Sequence, residues 1–199
     1  MKAETIDRVR VALVLILIVC GPLLCGQTAS RGTPAVNQDS LVIGEFENQV
    51  KEYLKLDKKA QSGIPRLKPT DSASKINEHR RLLAASIRAA RPQAKQGDIF
   101  SPEITQEFKR LISTAYQGDN ASRVHASLRQ AEPASDVAVK VNAIYPETAP
   151  LQSTPPSILL NLPPLPPELE FCIVGHNLVL RDVGANLIVD YIPGAIPSS

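Results

Sequence analysis

The sequence predicts an α+β protein, with four amphipathic helices followed by a small, mostly antiparallel β-sheet that ends in a three-stranded meander. Apolar residues recur at helical spacing through residues 41–132. Three apolar runs, separated by breaks that contain Gly and Asn, follow between residues 171 and 192. A connector with eight prolines, from Pro146 to Pro167, lies between the two halves. We predict that the helical region 41–132 and the remainder, 133–199, pack as one domain.

The N-terminus predicts export. A weakly basic start precedes an uncharged apolar run from Val11 to Cys25. This run is shorter than the ~20 apolar residues that span a bilayer, and small residues follow it, so residues 1–30 have the pattern of a secretory signal peptide. The alternative is an uncleaved anchor, and membrane contact is expected only through this leader. Residues 31–40, polar with Gly and Pro, predict a flexible linker.

The first two helices are predicted from apolar stripes and from the residues that end them. Gly63 and Pro65 end the first helix, and Pro92 stops or kinks the second near Arg91. The first stripe comprises Ile43, Phe46, Val50, Tyr53 and Leu54, and the second comprises Ile76, Leu83, Ile87 and Ala90.

The third helix has the clearest start. Ser101 is the predicted N-cap, Pro102 takes the first helical position and Glu103 lies near the positive end of the helix dipole. Its apolar face comprises Ile104, Phe108, Leu111, Ile112 and Ala115, and Gly118 ends it. A shorter fourth helix is predicted over 119–132, with Val124 and Leu128 inward.

The strand-rich half is predicted to begin near Asp136. Residues 137–145 predict a strand with Val137, Val139, Val141 and Ala143 on one side. The apolar run 157–162 predicts an edge strand, because proline-flanked strands are tolerated only at sheet edges. Residues 163–170 predict an extended polyproline segment.

Residues 171–192 predict a three-stranded meander whose two tight loops contain Gly and Asn, which tolerate positive φ. Apolar residues occupy both alternating sets of positions, so the sheet is predicted to need cover on both faces. One set contains Phe171, Ile173, Leu178, Leu180 and Ile188, and the other contains Val174, Val179, Leu187, Val189 and Tyr191. We expect the helices to cover one face, and the proline-rich segment or a partner to cover the other.

The residues that are able to act in catalysis or metal binding do not form a recognised motif. His79, His125 and His176 are far apart, and neither a metal-binding nor a nucleophile motif occurs. Cys172 is the only cysteine after the leader, and its apolar setting predicts a buried small hydrophobe rather than a reactive thiol. No catalytic, cofactor-binding or metal-ligating residue is therefore predicted.

The charge is uneven, with 14 Lys or Arg against 7 Asp or Glu over residues 51–110, and 2 against 6 over residues 136–199. One interpretation is ordinary solvated helix faces over an acidic sheet. The sharper one is a basic face that contacts an anionic surface. Its candidate residues are Arg80, Arg81, Arg88, Arg91 and Lys95. Aromatic residues do not alternate with these cations, which argues against a nucleic-acid partner.

The stretches KPTDSASKINEHRRLLAASIRAAR, AKQGDIFSPEITQEFKRLIS and LQSTPPSILLNLPPLPPELEFCIVGHNLVLRDVGANLIVDYIPGAIP cover most of the chain after the leader. Together they resemble a family of uncharacterised exported bacterial proteins. This resemblance implies export and a shared architecture, without a catalytic activity.

The segment VGHNLVLRDVGANLIVDYI is also similar to the C-terminal hairpin of small periplasmic proteins linked to nickel and cobalt homeostasis. The shared residues are Gly175, Leu180, Asp182, Ile188 and Asp190. The histidine-rich leader of that group is absent here, so the similarity implies no metal ligand.

These observations favour an exported, non-enzymatic protein that binds or scaffolds a partner in the periplasm or cell envelope, the partner being an envelope protein or an anionic polymer. The first alternative is an accessory periplasmic metal-handling protein. The second is an enzyme whose active site is dispersed along the chain. No cofactor is predicted for the leading hypothesis.

Overall fold

The computed structural model describes residues 37–117, 122, 126, 139–145 and 152–197, of which 152, 153 and 157 are described by their backbone. Its elements, in chain order, are α1 (Gln38–Ser62), α2 (Ala73–Ala90), α3 (Pro102–Gln117), β1 (Gln152–Ser153), α4 (Pro156–Leu159), β2 (Leu169–Val174), β3 (Asn177–Asp182) and β4 (Leu187–Ile192). The strands form one sheet in the order β1-β2-β3-β4, and all neighbours are antiparallel. This architecture confirms the predicted α+β class and the terminal meander.

Three long helices lie within the described residues, against the four predicted. The predicted fourth helix over 119–132 falls outside them, apart from Ser122 and Ala126, which are both helical. The predicted leader over 1–30 also lies outside the described residues. Helix α1 begins earlier than expected, because the Asn37 side chain accepts the Asp39 N–H at 3.2 Å and caps it. The last three residues of the predicted 31–40 linker are therefore helical.

The helices bury most of the stripes that the sequence predicts, although Ala90 of the second stripe is exposed. Helix α1 packs against both α2 and α3. The buried residues of α1 recur every three or four positions, and they are Phe46, Val50, Tyr53, Asp57 and Ala60. At the start of α3, Ser101 Oγ accepts the Ile104 N–H at 3.4 Å and donates to Glu103 Oε2 at 2.9 Å. Residues from all three helices and from the sheet contribute to one hydrophobic core.

The four phenylalanines of the chain form one cluster in that core. The Phe46 ring centroid lies 5.7 Å from that of Phe100, 4.8 Å from that of Phe108 and 6.3 Å from that of Phe171. Phe108 is also 5.4 Å from Phe100 and 6.0 Å from Phe171. The cluster joins α1, α3, the loop before α3 and β2, so helices and sheet share one packing unit.

The meander contains the two tight loops expected from its glycine and asparagine residues. Gly175 and His176 connect β2 to β3, with Gly175 at φ 58°. Residues 183–186 connect β3 to β4, with Asn186 at φ 51°. Both conformations lie in the left-handed region, which Gly and Asn adopt at the lowest cost.

A β-bulge in β4 changes which side chains share a face. Leu180 pairs with Asp190 and Arg181 pairs with Ile188, so Val189 is the extra residue. Val189 belongs to the main core, and Asp190 on the same face bonds the loop before α3. The bulge therefore moves Asp190 to the helical face and Tyr191 to the opposite face.

Both faces of the meander are buried, as predicted. The helical face contributes Phe171, Ile173, Leu178, Leu180, Leu187, Val189 and Ile192 to the main core. The opposite face contributes Cys172, Val174, Val179 and Ile188 to a second cluster around Tyr145, with Val139, Ala143 and Tyr191 at its border. The predicted placement of Ile188 in one set with Phe171 and Leu180 is wrong, and so is that of Leu187 and Val189 in the other set. The cover over the second face includes residues 139–145 of this chain.

Two predicted strands are wrong. Residues 139–145 form a turn with Asn142 at φ 64°, followed by a single bridge between Ile144 and Leu187. A residue at that φ ends strand geometry. Residues 156–159 form α4 instead of an edge strand, because Pro156 occupies the first helical position, where its missing N–H costs nothing. The edge position of the sheet belongs to β1.

A buried carboxylate fastens the loop before α3 to the sheet. Asp190, which is 0 % exposed, accepts the N–H of Gly97 at 3.1 Å, of Ile99 at 2.8 Å and of Phe100 at 2.9 Å. Gly97 has φ 91°, so a residue without Cβ is needed where the loop turns its N–H groups inward. These bonds satisfy backbone donors that would otherwise be buried without partners.

Within the described ranges, the structure contains no helix that is both long enough and apolar enough to cross a membrane.

Candidate functional site

A cleft of about 490 Å³ lies between α4, the proline segment after it and the outer edge of β2. It is lined by Thr154, Leu159, Pro163, Pro164, Leu165, Leu169, Glu170, Phe171, Cys172 and Arg181. Its volume falls within the roughly 300–1,000 Å³ of ligand sites, and its mixture of apolar walls with a few polar groups is typical of them.

The cleft exists because the edge of β2 is only partly paired. Among the described residues, β1 pairs with Ile173 and Cys172 of β2, and Thr154 Oγ1 donates to the Phe171 carbonyl at 3.0 Å. The chain then turns into α4, and the following segment carries Pro163 and Pro164, which have no N–H to donate to a strand. Where the structure describes the chain, the rest of the β2 edge therefore has no strand partner and borders the cleft.

The floor of the cleft holds an ion pair. Arg181 Nε donates to Glu170 Oε1 at 2.7 Å, and Arg181 Nη2 lies 2.6 Å from the same oxygen. Arg181 Nη1 donates to Asn186 Oδ1 at 2.5 Å, and the guanidinium lies 5.8 Å from the Tyr145 ring centroid. Asn186 in turn donates to the Tyr145 carbonyl at 2.8 Å. Arg181 is thus hydrogen-bonded to both Glu170 and Asn186, and the charges of Arg181 and Glu170 neutralise each other.

Cys172 is buried, as predicted. Burial, the largest cause, raises the pKa of its thiol to about 12, although the Arg181 charge lowers it. The thiol is therefore protonated at neutral pH, and a protonated thiol is a weak nucleophile. Cys172 is 1 % exposed and packs in the cluster around Tyr145, so it gives the cleft no reactive thiol.

Leu159, which lines the cleft, is followed in the chain by a second exposed leucine, Leu160. Leu160 is 86 % exposed and Leu159 is 43 % exposed, at the C-terminal end of α4. A third leucine, Leu162, follows two residues after Leu160 and is buried in the main core. An apolar cleft bordered by exposed leucines is the combination expected of a contact surface for another molecule.

The five residues of the predicted basic face differ in exposure: Arg81 and Lys95 are exposed, whereas the other three are half-buried. Arg81 and Arg88 are two helical turns apart on one flank of α2, Arg80 is half-buried, and Lys95 is exposed beyond the helix. Arg91 packs inward, with its guanidinium 5.4 Å from the Tyr53 ring centroid and Nη1 buried. Its carbonyl accepts Asn142 Nδ2 at 3.1 Å, so Arg91 connects α2 to residues 139–145.

The histidines do not converge where the structure describes them. His79 is half-buried on α2, and the exposed His176 places Nδ1 3.2 Å from the Ile196 carbonyl oxygen. His125 lies outside the described residues. Among the described residues, no group of three or more His, Cys, Asp or Glu side chains is placed to hold a metal ion.

Sequence reasoning missed the cleft and the residues of its floor. Arg181 and Glu170 were visible only as two charges at the edges of apolar runs, on neighbouring strands. Their cross-strand pairing, Glu170 opposite Arg181, could have been found from the hairpin register.

Comparison with protein-family models, with curated proteins and with solved structures gives no match to this chain. Both family resemblances of the sequence therefore remain predictions.

Proposed function

We propose that this chain is an exported, non-enzymatic protein of the periplasm or cell envelope that binds apolar side chains of a partner protein in the cleft beside β2. The observation that carries the proposal is the cleft itself, with apolar walls, the exposed Leu159 in its lining next to the exposed Leu160, and an internally neutralised ion pair. The leader over 1–30 supports the export part of the proposal. The fourth helix over 119–132 remains part of the proposed architecture.

The charge distribution favours an apolar partner over an anionic polymer. The Arg181 guanidinium is already occupied by Glu170 and Asn186, so the cleft offers an anion little unpaired positive charge. Arg91, just after α2, lies against the Tyr53 ring, and Arg88 on α2 is half-buried. The proposed partner contacts therefore come from apolar burial.

The buried thiol argues against a catalytic use of the cleft. The Cys172 thiol is the only nucleophile of its kind among the residues that line it, and burial raises its pKa to about 12. A cleft with a protonated thiol and a neutralised ion pair suits binding better than bond cleavage. The proposal is accordingly a binding role.

Site-specific photo-crosslinking tests this function. We expect a benzoylphenylalanine placed at Leu160 of the full-length chain to give a discrete protein adduct in envelope extract of the native host. The same residue placed at Leu41, which is 59 % exposed on the first turn of α1, should give none. Because each buried leucine contributes about 1.5–3 kcal/mol, L159D should reduce the adduct from position 160 at least about tenfold.

The matched control is L41D, which should leave the adduct from position 160 unchanged. The unfolding midpoints of L159D and L41D should both stay close to that of the parent, since both leucines are exposed. A lack of any adduct at position 160, or an adduct that L159D does not reduce, would contradict a binding role for the cleft.

A further inference from the structure

Two buried carboxylates, one on α1 and one on β3, lie near enough for the charge of one to act on the other. Asp57 lies one helical turn after Tyr53, on the buried face of α1, and Asp182 is the last residue of β3. Each is only 2 % exposed. The Tyr53 hydroxyl donates to Asp182 Oδ2 at 2.8 Å, and the Ala185 N–H donates to Asp182 Oδ1 at 2.7 Å. Both Asp182 oxygens are therefore hydrogen-bonded.

Asp57 is less well satisfied. Gln61 Nε2 donates to its Oδ2 at 2.6 Å, but Oδ1 is buried without a hydrogen-bond partner. A buried carboxylate oxygen without a donor is costly while the group is charged. A proton on Asp57 removes that charge and the repulsion from Asp182.

The surrounding charges do not compensate for this pair. Glu168, in the turn before β2, adds a third negative charge that acts on Asp57. Arg91, after α2, lies over the Tyr53 ring, and its Nη1 is buried without a hydrogen-bond partner. Arg181 stabilises charged Asp182 but bonds Glu170 and Asn186. The junction thus holds more buried negative charge than its nearby cations neutralise.

We propose that folding couples to the uptake of one proton by the Asp57–Asp182 pair, so that the contact between α1 and β3 is a pH-sensitive junction that is most stable in mildly acidic solution.

The direction of the pKa shifts agrees with this geometry. Burial, followed by the charge of Asp182, raises the pKa of Asp57 from 3.8 to about 6. Burial also raises the pKa of Asp182. At a pH between the pKa of Asp57 in the unfolded chain and that in the folded chain, the folded chain holds a proton that the unfolded chain has released. The free energy of unfolding therefore falls as pH rises from 3.8 to about 6, and it stays low above that window. The folding constant should therefore be about tenfold larger at about pH 5 than at about pH 7.5.

Urea unfolding of the full chain and of D57N tests the proposal. D57N is nearly isosteric and carries no charge, so we expect it to be more stable than the parent at about pH 7.5. The folding constant of D57N divided by that of the parent should then fall about tenfold as pH is lowered from about 7.5 to about 5, because the parent takes up its proton. D39N is the control, because Asp39 is exposed and pairs with Arg110, and its ratio to the parent should stay constant.

Parallel pH dependences for D57N and the parent would overturn the proposal. Should D57N fail to fold, the carboxyl carbon of Asp57 in the unmodified chain, followed by NMR, supplies the second readout. A titration midpoint near 6 supports the proposal, and one at or below the ordinary value of 3.8 overturns it.

Discussion

Replacing Asp190 with Asn is expected to lower the free energy of unfolding by about 3–5 kcal/mol, because buried N–H groups then lose their acceptor. Oδ2 of the carboxylate accepts the N–H groups of Ile99 and Phe100. Oδ1 accepts those of Gly97 and, at 2.8 Å, Tyr191. Asparagine has an NH₂ group in place of one of these oxygens. That group is a donor, so it cannot accept the backbone N–H groups that point at it. Bonds to a charged acceptor are about twice as strong as neutral ones, so the loss is large. Urea denaturation of D190N measures it.

D98N is the matched control in the same loop. Asp98 is exposed and accepts the Lys95 N–H at 2.9 Å, so its replacement should cost no more than about 1 kcal/mol. A cost below about 1 kcal/mol for D190N as well would show that the Asp190 carboxylate does not hold the loop before α3 to the sheet.

Replacing Phe46 with Ala is expected to lower the free energy of unfolding by about 3–5 kcal/mol, because the truncation leaves a cavity in the shared core. Phe46 is buried, and its ring contacts three other rings, from the loop before α3, from α3 and from β2. Since these contacts join helices to sheet, the variant should still unfold in one transition at a lower denaturant concentration. Far-ultraviolet circular dichroism during urea unfolding measures both quantities.

F46L is the control, because leucine keeps most of the buried volume and should cost clearly less than alanine. Two separate transitions in F46A, one for the helices and one for the sheet, would contradict a common core. So would equal stabilities for F46A and the parent.

The helices and the meander could be predicted because their signals are local. The α1 stripe around Phe46 and Val50, and the Ser101–Pro102 start of α3, lie within a few residues of the structure they produce. Glycine and asparagine at Gly175 and Asn186 similarly mark their own loops through positive φ. Such features need no information about distant contacts.

The segments whose structure differs from the prediction depend on contacts between residues that are distant in the sequence. The valines of 137–145 suit a strand, but Asn142 turns the chain so that Tyr145 reaches the second face. The bulge at Val189 is set by pairing with β3 and by the bonds of Asp190 to the loop before α3. The pattern within β4 alone contains neither constraint.

The cleft was not predictable for the same reason. It depends on where α4 and Pro163–Pro164 lie relative to β2, which is a matter of tertiary placement. The predicted basic face includes Arg91, whose guanidinium makes a cation–π contact with the Tyr53 ring of α1. The sequence did contain a clue to the two buried carboxylates, although not to the cleft. Asp182 and Asp190 interrupt apolar strands, and a charge in such a strand indicates a buried polar contact.

The accessibility of the Cys172 thiol tests most directly whether the chain itself covers the meander. The protein would carry C20S and C25S, so that Cys172 is the only thiol, and would react with a bulky aromatic disulfide at about pH 8. Because Cys172 is buried in the second-face cluster, we predict that it reacts only as fast as the chain unfolds, with urea raising both rates together. Rapid, complete labelling of the native protein without loss of its circular dichroism would show that the second face is open and contradict the account.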